Sequence, residues 1–435
     1  MHLFSVRLKA EGHTASLESC DDGQSKAVAR VRALPEEERF FCGLGKDRKR
    51  ERAGWMKPPV ITMEERETFM KRMIFGLLAA VLLAVVPVAL ADMPAVTGMM
   101  ELDYAEHFTL AYCEGGYQLI TVLDNQGGES RFLTVPEGAQ VPENLDSDVA
   151  VLKLPLSGLL VSSNPATSLI NAAGALDAVA LTTTQREDWC IPEVQQAMDD
   201  GALAYVGEYD ALDFEVLAAK QPPLAVFSSM LLSVPDVAQK LTELGIPYLL
   251  DASNYEGHPL ARVEWVRLFG ALLGCQEQAD AVYAVQKEQV EALPDDETGK
   301  TVAVFYITSS GSLYARNGGD YMARMVELAG GEYVLADMNA EKSGTQKMEM
   351  EQFYASAGEA DVIIYVFSMG GRPQTLSDLL ARGEMLSEFK AVKEGQVYCT
   401  SPEFFQISDT IGSMIVDIRS ALDGQDDLTY LFRLQ

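Results

Sequence analysis

Beyond residue 13 this 435-residue chain holds two histidines, His107 and His258. A Ser/His/Asp triad would have to rest on one of them, and neither has a readable serine partner. The chain has no G-x-S-x-G, no H-E-x-x-H and no P-loop. Two imidazoles also argue against a bare zinc or manganese site built from several histidines. The chemistry on offer is that of binding. Serine, threonine, aromatic, methionine and arginine residues follow strand-like runs, where α/β sheets hold ligands. The first half supplies Ser162, Ser163, Thr182, Thr183, Thr184, Trp189, Ser228, Ser229 and Met230, with Tyr255 and His258 just beyond them. The second half supplies Tyr306, Ser309, Ser310, Tyr314, Arg316, Phe367, Met369, Arg372 and Phe404. Aromatics and methionine suit a bulky, flat or greasy ligand. Arg316 and Arg372 can pair with carboxylate or catecholate charge. Arg262 reads instead as an ion-pair partner of Glu264 or Glu256. No catalytic residue and no cofactor is expected.

Charge narrows the partners further. The chain has 34 Lys+Arg against 64 Asp+Glu, a formal net charge of −30. Nucleic acid is excluded, because phosphate binding needs clustered basic residues. The charge is also uneven. Residues 1–91 carry 15 basic and 12 acidic groups, and residues 92–435 carry 19 and 52. The join coincides with an export signal. Met70-Lys71-Arg72-Met73 is a short basic region, Ile74 to Leu90 is free of charge, and Ala89-Leu90-Ala91 is a cleavage site before Asp92. The mature chain is therefore expected to begin at Asp92 and to lie outside the cytoplasm, with residues 1–69 a non-native or disordered leader. The competing reading of 70–91 is a membrane anchor. The exported cysteines, Cys113, Cys190, Cys275 and Cys399, form no C-x-x-C, and no cysteine follows the cleavage site to carry a lipid.

The elements that must position the candidate residues follow in order. Residues 92–148 read as a β-rich lead-in, with strands at Phe108–Tyr112 and Gln118–Leu123 and a turn at Asp124–Gly128. From 149 to 257 strands alternate with helices, which implies an α/β lobe with a mainly parallel sheet. Pro259 can open a helix. Its apolar face, through Val263, Val266, Phe269, Leu273, Val282 and Val285 to about Leu293, predicts one helix across 258–294, roughly 50 Å long at 1.5 Å per residue. Such a helix would join two lobes. Alternation then resumes in a second α/β lobe over 295–435. The lobes also repeat. Ser168–Ala175 resembles Arg324–Gly331, and Glu215 and Glu351 each stand ten residues before an aligned strand position.

These features resemble the substrate-binding proteins of bacterial ABC importers, in the class with a helical backbone between its lobes. The signal segment, the paired lobes and Glu256-Gly257-His258-Pro259-Leu260-Ala261-Arg262-Val263-Glu264-Trp265 carry the resemblance, over roughly 150–425. It implies two Rossmann-like lobes and a shallow cleft between them; the long helix, which resists hinge bending, predicts little closure on binding. It implies a ferric siderophore as ligand, with haem or cobalamin as the alternatives. The partners would be an ABC permease and its ATPase, and the binding protein a monomer. It also implies that Glu215 and Glu351 dock on permease arginines, as charge pairs that set register. Of the candidates above, the ligand contacts expected in the cleft are Thr183, Trp189, Ser229, Met230, Tyr255, Tyr306, Tyr314, Arg316, Met369, Arg372 and Phe404.

Overall fold

The computed structural model describes residues 93–367 and 371–435. The expected leader (1–69) and export signal (70–91) lie outside the described residues, as does Met369. No helix among the described residues is long and apolar enough to cross a membrane.

The chain opens with a five-stranded sheet. Its strands are β1 (Val96–Met99), β2 (Phe108–Cys113), β3 (Gln118–Leu123), β4 (Glu129–Val135) and β5 (Val149–Lys153), in that spatial order. The first four run antiparallel and β5 runs parallel to β4. The expected turn is present: Asp124 Oδ1 accepts from the backbone N–H groups of Gln126 at 2.7 Å and Gly128 at 2.8 Å. Residues 149–153, expected as the first strand of the α/β lobe, extend this sheet instead, with Arg131 opposite Val149. A short apolar run fixes a strand but not its neighbour.

The first lobe alternates as expected: β6 (Leu159–Val161), α1 (Asn164–Ala172), β7 (Val179–Thr182), α2 (Pro192–Asp199), β8 (Ala204–Tyr205), a small hairpin of β9 (Gly207–Glu208) and β10 (Ala211–Leu212), α3 (Phe214–Lys220), β11 (Ala225–Ser228), α4 (Pro235–Glu243) and β12 (Tyr248–Asp251). Its sheet is wholly parallel, in the order β12-β11-β6-β7-β8. Its central strand β6 is apolar and buried throughout, as in a parallel sheet covered on both faces, while the edge strand β8 is exposed.

The predicted single long helix is two helices. α5 (Pro259–Leu273) ends at Gly274, whose φ of 73° is left-handed, and α6 (Gln276–Glu291) follows. Glycine supplies that conformation without steric cost, and the Cys275 N–H closes on the Gly270 carbonyl. A Cβ on Gly270 would come within 2.4 Å of the Ala279 Cβ, so the missing side chain lets α6 fold back tightly on α5. The helices are about 22 and 24 Å long at 1.5 Å per residue.

The second lobe comprises β13 (Thr301–Ile307), β14 (Leu313–Arg316), α7 (Tyr321–Leu328), β15 (Glu332–Tyr333), β16 (Thr345–Met348), α8 (Met350–Ala357), β17 (Val362–Tyr365), α9 (Leu376–Leu380), α10 (Lys390–Lys393), β18 (Val397–Thr400), α11 (Ile411–Leu422) and β19 (Leu431–Arg433). Within its sheet the parallel set β18-β17-β13-β15 repeats the order and direction of β12-β11-β6-β7. α8 precedes β17 as α3 precedes β11, and α11 follows β18 as α5 follows β12. The internal repeat seen in sequence is thus a repeat of topology.

α5 packs on α1 of the first lobe and on α7 and α11 of the second. It also holds the lead-in. Glu264, fully buried, accepts from the backbone N–H groups of Asp103 at 2.7 Å and of Tyr104 and Ala105 at 2.9 Å. Glu256 accepts from the Glu106 and His107 N–H groups and from Trp265 Nε1. Asp103 then reaches Tyr283 and Lys287 on α6, each at 2.9 Å. Removing a buried carboxylate strands its donors. Glu264→Ala is expected to cost on the order of 3 kcal/mol or more, read as a lowered midpoint in urea unfolding followed by circular dichroism.

Candidate functional site

A cavity of about 610 Å³ opens between the lobes, within the range of small-molecule sites. The repeat explains its position, since loops after parallel strands of both lobes meet there. The first lobe contributes hydroxyls and amides. Ser162 and Ser163 follow β6, Thr183 and Thr184 follow β7, and Ser228 ends β11. Ser162 and Thr183 share a hydrogen bond of 2.7 Å, and Thr184 Oγ1 donates to Asn164 Oδ1 at 2.8 Å. The second lobe contributes an apolar wall of Phe404, Phe405, Ile407, Ile411 and Met414.

Two buried arginines, Arg262 on α5 and Arg316 at the end of β14, line the cavity with Tyr321, and the carboxylates Glu208 and Asp320 are also in the lining. The Arg262 guanidinium lies 3.5 Å from the centre of the Tyr321 ring, a cation–π contact, and Arg316 lies 5.9 Å from the same ring. Arg262 donates to Asn254 through Nη1 and Nη2. Arg316 Nη1 is 3.6 Å from Asp320, which caps α7. The Nε atoms of both arginines are buried without a protein partner. Burial pulls the Arg262 pKa down and the charge of Arg316 acts in the same direction, against the opposing influence of Tyr321, Asp320 and Asp251. An anion placed between them would relieve both effects. Close by, Asp251 is buried and accepts from Ser163 Oγ at 2.5 Å, and burial raises its pKa.

Of the expected ligand contacts, Thr183, Met230, Tyr255, Arg316 and Phe404 line the cavity. Ser229 stands beside it and donates to the Tyr255 hydroxyl at 2.7 Å. Trp189 packs in the core at 2% exposure. Tyr306 and Tyr314 stack on each other, centroids 5.3 Å apart, outside the lining. Arg372 lies over the Phe432 ring at 3.7 Å, also outside it. Glu215 and Glu351 are exposed in the first turns of α3 and α8, at corresponding places in the repeat.

Sequence reasoning missed Arg262, Asn254, Tyr321 and the wall residues from Phe405 to Met414. Arg262 pairs with neither Glu264 nor Glu256, because both carboxylates are committed to the backbone of residues 103–107. The available signal was a charge flanked by Leu260, Val263 and Val266 on a helix buried all round. Among the described residues no group of three or more His, Cys, Asp or Glu could hold a metal ion.

His258 caps α5: its Nδ1 accepts from the Leu260 N–H at 3.2 Å, and its ring stacks on Tyr104 at 3.9 Å. Burial, then the charge of Arg324, lowers its pKa to about 4.

Residues 161–403 match the family model described as periplasmic binding protein. An uncharacterized lipoprotein of Methanocaldococcus jannaschii is 26% identical over 356 residues, covering 78% of this chain and 88% of its own. Among solved structures, a periplasmic binding protein from Veillonella parvula aligns with a TM-score of 0.53 at 17% identity, over 70% of this chain and 97% of that one. The petrobactin-binding protein from Bacillus subtilis aligns with a TM-score of 0.51 at 14% identity, over 70% and 99%. Both share the two-lobe fold.

The cap at His258 has a measurable consequence. The folded pKa lies below the ordinary 6.5, so between those values the unfolded chain binds more protons. Its contribution is present above pH 6.5 and is lost as pH falls towards 4. Stability measured by urea unfolding should fall less steeply over that window in His258→Asn, which keeps a capping side chain without the titration.

Proposed function

The chain belongs to the periplasmic binding protein family, and from that premise we propose that it captures an anionic metal chelate of the ferric-siderophore type outside the cytoplasm. It then delivers that ligand to an ABC permease driven by its ATPase. The observation that carries the ligand class is the pair of buried arginines lining the cavity beside an apolar wall. Oxygen anions answer the arginines, and a bulky organic shell answers Phe404, Phe405 and Ile411. The hydroxyl-rich wall of the first lobe supplies further donors. Haem and cobalamin are the alternative ligands for the same cleft. The family is one of solute-binding proteins and not of enzymes.

Titration followed by tryptophan fluorescence separates these ligands, using a ferric tris-catecholate, haemin and cobalamin as probes. The ferric tris-catecholate should bind one-to-one. Arg262→Ala and Arg316→Ala should each weaken it by about tenfold or more, the value of a charge-assisted hydrogen bond, and leave an uncharged ferric hydroxamate nearly unaffected. Equal affinity in both variants and wild type would remove the arginines from the site.

Delivery is read through Glu215 and Glu351. Their exposure and matching places in the two lobes support docking on a permease by charge pairs. Reversing both to Arg should abolish uptake in cells while ligand affinity of the purified protein stays unchanged. Uptake equal to wild type would reject the docking role.

A further inference from the structure

One segment of the second lobe, Ser401–Thr410 between β18 and α11, carries Phe404, Phe405, Ile407 and Ser408 to the cavity. The same segment is tied to the first lobe. The Gln406 side chain uses both ends of its amide: Nε2 donates to the Asp188 carbonyl at 2.6 Å, and Oε1 accepts from the Cys190 N–H at 2.7 Å. The tied backbone flanks Trp189, which is fixed in the core. A second tie forms at Ser168 on α1, which is 1% exposed. Its Oγ donates to Asp409 and accepts from the Ser408 N–H at 3.0 Å. The topologically equivalent segment of the first lobe, between β12 and α5, also lines the cavity through Asn254 and Tyr255. Its Asn254 bonds stay with the adjoining helix through Arg262.

We propose that Gln406 and the Ser168–Asp409 pair are positioning residues that latch the two lobes and hold the apolar wall in its ligand-ready place before any ligand arrives. Two ties on one short segment oppose both rotation and sliding of the wall against the first lobe. An amide bonded at both ends is directional, so its loss cannot be replaced by packing alone. A preformed wall avoids ordering cost on binding, so loosening the latch raises the dissociation rate more than it lowers the association rate. This last consequence rests on the cleft being the ligand site; the latch itself does not.

The test measures the lobes first and the ligand second. Genetically encoded spin labels at Lys220 and Glu359, both exposed and one in each lobe, report the inter-lobe distance in ligand-free protein by pulsed electron resonance. Wild type should give one narrow distribution. Gln406→Ala combined with Ser168→Ala should broaden or shift it while circular dichroism stays native. Gln406→Glu, which keeps the acceptor for Cys190 and loses the donor to Asp188, should fall between the two and guards against a double variant that fails to fold. With the ferric tris-catecholate as probe, the double variant should dissociate about tenfold faster. A broadened distance with no probe binding to either protein would uphold the latch and count against the proposed ligand. An unchanged narrow distance in folded variants would overturn the latch.

Discussion

Thirteen of the fifteen residues of α5 are buried, and Arg262 and Glu264 are among them. Glu256, just before the helix, is buried as well. A helix covered on every side cannot leave its ions to water, so each must find partners inside the protein. The two carboxylates are answered by backbone N–H groups of residues 103–107, which straps the lead-in across α5 and α6. Burial acts to raise the Glu256 pKa, but bonds from His107, the Glu106 N–H and Trp265 outweigh it and leave the carboxyl below its usual range. The guanidinium is answered only in part, by Asn254 and the Tyr321 face, and its Nε is buried without a partner. The helix that organises the lobes is also the element that leaves a buried positive group at the cavity.

The asymmetry of the cleft follows from the repeat. Topologically equivalent connections reach the cavity from both lobes, but their side chains differ in kind. The first lobe brings Ser162, Thr183 and Thr184, whose hydroxyls are already oriented by one another and by Asn164. The second brings Phe404, Phe405 and Ile407 on a segment whose Gln406, Ser408 N–H and Asp409 are bonded to the neighbouring lobe, and Ile411 at the start of α11. One wall therefore offers direction and the other offers area, with the arginines between them.

Much of this was legible in the residues. Parallel strands covered on both faces are mostly apolar runs, as in β6, β11, β13 and β17, and Gly174, Gly245 and Gly330, each with a left-handed φ, follow the ends of α1, α4 and α7. The break at Gly274 was not legible, because a helix buried all round has no single stripe whose interruption could be noticed. Arg262 was misassigned for a related reason. Its local spacing to Glu264 and Glu256 invited an ion pair, while Glu264 pairs locally with Arg267 instead and the backbone donors to both carboxylates lie some 150 residues earlier in the chain. Trp189 shows the opposite error: a tryptophan after a strand fits a cleft as well as a core, and only packing distinguishes them.

The proposed ligand class turns on what sits between Arg262 and Arg316. A crystal structure of the exported protein with the ligand that co-purifies from its native cells tests this directly. The predicted result is a metal chelate whose anionic oxygens accept hydrogen bonds from both guanidinium groups, with its organic shell against Phe404 and Ile411. A cationic or uncharged ligand, or one seated away from both arginines, would contradict it.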